Sequence, residues 1–202
     1  MIRIIYFLED RAQESLITGL VDRIAGEVGV RVTHEVRSAR GGSRALRDFK
    51  NFVKDLKLGK KERNFELLIV GVDADCKDYR ERLKEVKRSA KTLSPEVCLL
   101  GCIPDPYIER WYLIDTKALK RVVGRDLKLS PPPYHCKKGK RGKAYYKQLL
   151  GSALKEVGSL LSGPEYGDLL AQEISLSLLA RHDRGFKRFV TELRQFFQSR
   201  RP

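Results

Sequence analysis

Long apolar runs are what this chain of 202 residues has least of. No segment approaches the roughly 20 apolar residues that a bilayer-crossing helix needs. The first apolar run is short, carries Arg3 and runs into acids, so it does not read as a secretory leader. No lipidation signal or polybasic amphipathic anchor appears either, and the expected setting is cytoplasmic, with no membrane partner. Histidine is scarce: His34, His135 and His182 are scattered, without metal or triad spacing. Cysteine is scarce too, and Cys76, Cys98, Cys102 and Cys136 fit no Cys-x-x-Cys ladder. Zinc stays only as an alternative, and Cys98 and Cys102 read as ordinary buried thiols. There is no Walker A sequence, which excludes a P-loop ATPase, and no internal repeat.

What the chain has in surplus is positive charge. Lys and Arg number 41 against 26 Asp and Glu, a formal net charge of +15. A surplus of that size points to a polyanion, and nucleic acid is the commonest. Hydrophobic residues make up 42% of the chain, enough for a proper core in one large domain.

The apolar residues are arranged tellingly. Leu67 to Val70 and Val72 form a short aliphatic run interrupted only by Gly71, which reads as a strand buried on both faces of a parallel sheet. It ends in two carboxylates, Asp73 and Asp75. Ile2-Arg-Ile-Ile-Tyr-Phe-Leu8 is a second such strand, ending in Glu9 and Asp10. Ligands of open α/β sheets bind at the carboxyl ends of strands, so both runs deliver acids to that edge. Asp10 reads as the N-cap of the next helix. Glu9, Asp73 and Asp75 read together as oxygen ligands for Mg²⁺ or Mn²⁺, with further helix caps as the alternative.

Between these strands Leu16, Leu20, Ile24 and Val28 recur at helical spacing, and Val30 to Val36 alternate as a second strand. Arg40-Gly-Gly-Ser43 reads as a turn, with Ser43 the N-cap of a helix through Leu56. A charged helix near 78–91 leads to a strand at Glu96–Ile103. The pattern β-α-β-α-β-α-β is that of a three-layer α/β domain with a mainly parallel sheet. Beyond Pro104 the chain turns helical. The expected division is a core at 1–123, a basic Pro/Gly loop at 124–142, and a helical C-terminal appendage at 143–202, with helices at 143–162, 165–180 and 183–198.

Several short stretches resemble one family. Tyr6-Phe-Leu-Glu9, Gly41-Gly-Ser43, Val72-Asp-Ala-Asp75-Cys-Lys-Asp78 and Ile108-Glu-Arg-Trp-Tyr-Leu-Ile-Asp115 are similar to Toprim domains. The closest likeness is to the small OLD-like Toprim-related proteins often encoded beside ATPases in defence clusters. Lys143-Ala-Tyr-Tyr146 and Gly185-Phe-Lys-Arg-Phe189 are similar to their C-terminal region. The resemblance implies a Toprim-type nuclease, with Glu9 as general acid/base or metal ligand and Asp73 and Asp75 on Mg²⁺. It also implies an ATPase as partner. Asp10 departs from the pattern, standing where most Toprim domains carry glycine.

Glu109, at the start of the helix after the fourth strand, is either a further metal ligand, as the resemblance implies, or a surface glutamate favourable to the helix dipole. Trp111 reads as core, Asp115 as a local cap or local pairing partner, and Asp78 as the N-cap of its helix. Lys137, Lys138, Lys140, Arg141 and Lys143 form the clearest basic patch, with Lys143 also expected to neutralise transition-state charge. Tyr145 and Tyr146 beside it stack on bases or pack in a helix. The expected activity is divalent-metal-dependent phosphodiester hydrolysis on DNA rather than RNA, with a second copy of the chain as a further candidate partner. The rivals are a non-catalytic nucleic-acid-binding module and a receiver-type signalling switch. The switch lacks the hydroxyl and the later lysine that its pocket would need.

Overall fold

The computed structural model describes residues 1–38, 44–60, 64–94, 97–136 and 140–201, with 140–143 as backbone alone. The expected alternation is present: β1 (Ile2–Leu8), α1 (Arg11–Val28), β2 (Val32–Ser38), α2 (Arg44–Lys57), β3 (Leu67–Gly71), α3 (Tyr79–Ser89) and β4 (Cys98–Cys102). α4 (Ile108–Ile114), α5 (Thr116–Val123) and α6 (Lys140–Glu156) follow. A short 3₁₀ turn, Pro164–Tyr166, then leads into α7 (Gly167–Glu173), α8 (Leu176–His182) and α9 (Arg184–Gln198). The Arg40-Gly-Gly-Ser43 turn and Glu96 lie outside the described residues.

Among the described residues the sheet has the order β2-β1-β3-β4, with every pair parallel. Strand side chains alternate faces, and the core divides accordingly. Ile4, Tyr6, Leu8, Leu67 and Ile69 pack on the side of α1 and the C-terminal helices, around Trp111, Phe186 and Phe189. Ile5, Phe7, Leu68 and Val70 face the other way, onto Phe49, Phe52 and Val86 of α2 and α3. The chain is thus an α/β domain of three layers. Tyr146, Leu150, Leu170 and Leu193 share the first cluster with the sheet, so the C-terminal helices complete its core.

Helix boundaries in that part differ from the sequence pattern for local reasons. α6 stops at Glu156, ahead of Gly158, whose φ is 67°. The stretch expected as one helix over 165–180 is two. Ile174 is extended, and Ser175 begins α8 by accepting from Leu178 N at 3.2 Å. Its own amide donates to Asp115 Oδ2 at 2.9 Å, and Asp115 also caps α5 through Ala118 N.

Candidate active edge

β1 and β3 are neighbours, in register through Phe7 and Val70, so Glu9 and Asp73 leave the sheet at the same edge. Three of the helices that start there begin on aspartates. Asp10 caps α1 through Gln13 N, Asp78 caps α3 through Arg80 N, and Asp183 caps α9 through Phe186 N. The capping expected of Asp10, Asp78 and Asp115 is therefore present.

Gln13 ties the first two strand ends together. Fully buried, it accepts from Glu9 N at 3.1 Å through Oε1 and donates from Nε2 to Asp73 Oδ1 at 3.0 Å. Ile108 N, in the first turn of α4, donates to the same Asp73 oxygen at 3.1 Å. Asp73 thus holds α1, β3 and α4 in one place. Sequence reading did not single out Gln13. Its signal was a polar residue on the apolar stripe of α1, in phase with Ile17 and Leu20.

Beyond Asp73 the backbone turns sharply. Asp75 and Cys76 have φ of 50° and 62°, the left-handed region that side chains make costly. Ala74 N and Asp75 N donate to the carbonyls of Pro104 and Pro106, and Tyr107 OH donates to Asp75 Oδ1 at 2.7 Å. Cys76 is joined to Cys136 by a disulfide. No spacing in the chain had suggested that pairing, whereas Cys98 and Cys102 remain thiols, half-buried and buried. Tyr134 OH donates to Asp105 Oδ1 at 2.8 Å, so the segment before Cys136 lies across the ends of β3 and β4. Burial raises the Asp105 carboxyl, against the Tyr134 hydrogen bond that lowers it.

A cleft of about 670 Å³ opens beside this edge, lined by Asp10, Arg11, Glu109, Tyr112 and Lys147 and walled by leucines. Glu109 is only 3% exposed, which overturns the surface-glutamate alternative. Its Oε1 lies 3.2 Å from Lys147 Nζ, one helical turn beyond Lys143. Sequence reading had passed over Lys147. For Tyr146 the packing alternative holds. It is fully buried, its hydroxyl accepting from His135 N at 2.7 Å, and so cannot stack on a base, while Tyr145 packs against the His135 ring.

Lys137 and Lys138 lie outside the described residues, as do the side chains of Lys140, Arg141 and Lys143. Among the described residues no three His, Cys, Asp or Glu side chains are gathered to hold an ion. Glu9, Asp73 and Asp75 share an edge without closing into such a group, and Glu109 turns to the cleft. What the edge offers is two part-exposed carboxylates, Glu9 and Asp75. That suits Mg²⁺, which keeps several waters and takes one or two carboxylates. Among the described residues no helix is long and apolar enough to cross a membrane.

The family model described as Domain of unknown function (DUF4276) matches residues 8–194, and the chain belongs to that family. No curated protein and no solved structure matches it.

Proposed function

We propose that this DUF4276 chain hydrolyses nucleic-acid phosphodiesters with the aid of Mg²⁺ or Mn²⁺, in the manner of the Toprim-type nucleases it resembles. The observation that carries this reading is the consecutive left-handed pair Asp75 and Cys76 at the acid-bearing edge. Strain of this kind, of order 1–3 kcal/mol per residue, persists where the surroundings enforce it, and it clusters at functional sites.

Glu9 and Asp75 are the residues that would hold the cation, and Asp73 positions both strand ends through Gln13 and Ile108 N. When bound, the cation supplies charge neutralisation at the phosphate oxygens. Glu9 would take a proton of the water whose oxygen bonds to phosphorus, while the bond from phosphorus to the leaving strand oxygen breaks and that oxygen takes a proton from solvent. The basic stretch from Lys137 to Lys143 follows directly on Cys136, which the disulfide ties to this edge, and the net charge of +15 favours a polyanion throughout. DNA as the substrate, an ATPase partner and a role in defence belong to the same proposal and rest on the Toprim resemblance.

A second reading, a non-catalytic nucleic-acid-binding module, is favoured by Asp73 Oδ1, which already serves two donors of the fold. Incubation of labelled DNA with the purified chain and Mn²⁺ separates the two. Cleavage that vanishes in Asp75→Asn and Glu9→Gln, with melting temperatures held, is the expected outcome. Binding without cleavage by the parent protein, under Mg²⁺ and Mn²⁺ alike, refutes hydrolysis and leaves the binding module.

A further inference from the structure

α9 begins at the same edge as the acids and runs back beside β4. Its N-cap Asp183 accepts from Asp105 N at 3.0 Å, just past the end of β4. Along its length α9 lies in contact with β4. One face of α9 is buried through Phe186, Phe189, Leu193 and Phe197. The opposite face meets Tyr79, at the start of α3, across a concavity of about 560 Å³. Arg184, Lys187, Arg188, Thr191, Glu192 and Gln195 line it at successive helical turns.

The charges of this face are unequal. Arg188 pairs with Glu192 one turn on. Arg184 and Lys187 are exposed, and among the described residues neither has an ion-pair partner. Thr191 and Gln195 add neutral hydrogen-bonding groups further along. Tyr79 offers a half-buried ring, with the Arg80 guanidinium 5.8 Å from its centre. A row of cations beside one aromatic ring, in a concave track, is the chemistry that receives a single nucleic-acid strand. The cations follow the phosphates, and the ring stacks on a base of any identity. Tyr79 stands only four residues beyond Asp75, and Arg184 directly follows the cap held by Asp105.

We infer that the α3–α9 concavity is a single-strand binding track, which takes the sugar–phosphate backbone leaving the acid edge. The inference rests on the nucleic-acid reading above and adds to it contact residues other than Lys137–Lys143, and a strand state. Arg184 and Lys187 contact phosphates, and Tyr79 stacks on an unpaired base.

The test is fluorescence anisotropy of a labelled single-stranded oligonucleotide across a series of salt concentrations, without divalent cation so that binding alone is read. Each phosphate contact on a single strand contributes about 0.7 to the slope of log K against log salt, so Arg184→Ala with Lys187→Ala should flatten it by roughly 1.4. Tyr79→Ala should weaken binding by about ten-fold at fixed salt, with Tyr79→Phe close to the parent protein. The substituted side chains reach solvent, and an unchanged melting temperature checks that the fold is intact. A parent protein that binds with a steep slope and a double variant that matches it overturn the track and leave the nucleic-acid reading standing. A parent protein that shows no salt-dependent binding removes both. Equal losses on duplex and single strand overturn the single-strand assignment.

Discussion

Asp183 serves three donors from three parts of the chain. Its Oδ1 accepts from Phe186 N at 2.8 Å, capping α9, and its Oδ2 accepts from Trp111 Nε1 at 2.7 Å and Asp105 N at 3.0 Å. The side chain is fully buried, and burial raises its carboxyl despite those donors, while Arg110 Nη1 stands 4.0 Å away. Removing it uncaps α9 and leaves the buried Trp111 Nε1 and the half-buried Asp105 N without their acceptor. Asp183→Ala is therefore expected to cost about 4 kcal/mol, summing a cap and two unsatisfied donors. Urea unfolding of the variant measures this. A loss of about 1 kcal/mol or less would reduce Asp183 to a helix cap. Asp73 belongs to the same class of residue, a carboxylate that fastens elements together. An acid at a strand end is thus ambiguous in sequence, because capping, fastening and catalysis all ask for the same side chain there.

At the scale of elements, α9 depends on one close approach. A methyl group on Gly185 would collide with the carbonyl oxygen of Ile103, so only glycine lets the helix sit against the end of β4. Gly185→Ala should cost about 2 kcal/mol, roughly 6 °C in melting temperature for a chain of this size. An unchanged Tm would show that α9 can shift without loss. Such seats are invisible to periodicity, and the same holds for other departures from the sequence pattern. β1 and β3 were legible because continuous apolar runs have few other uses, and α1 was legible from its stripe of Leu16, Leu20 and Ile24. The α7–α8 break was not, because it depends on Asp115, sixty residues away, accepting from Ser175 N. Of the candidate site, sequence placed Glu9, Asp73 and Asp75 on one edge. Gln13, Lys147 and the Cys76–Cys136 pair became recognisable only through contacts across the fold.

For the whole molecule, acid is the informative perturbation. Glu35 is held below the usual carboxylate range by the Arg37 and Arg3 guanidinium groups, and Glu85 by Arg82 and Lys77. A carboxyl lowered in the fold stabilises it in full above its unfolded value of about 4.3, and that contribution drains away as pH falls through the lowered value. Protonation also leaves the 41 cations less opposed, which adds self-repulsion in the same direction. Melting temperature should therefore hold between pH 7 and about 5 and fall below about 4. A Glu35→Gln, Glu85→Gln double variant should show a lower Tm at neutral pH and a shallower fall in acid. Parallel pH profiles for variant and parent would assign the acid loss to net charge alone.

The disulfide between Cys76 and Cys136 spans a sequence separation of 60 and closes a covalent ring around α3, β4, α4 and α5. A single backbone cut inside that ring opens a circle and releases no fragment. The two pieces remain one molecule until the sulfurs are reduced, with the strand that leads to Asp73 still bound to the segment that leads into the basic stretch. Damage to the enclosed part of the chain is thus separated from loss of connection between the acids and the cations.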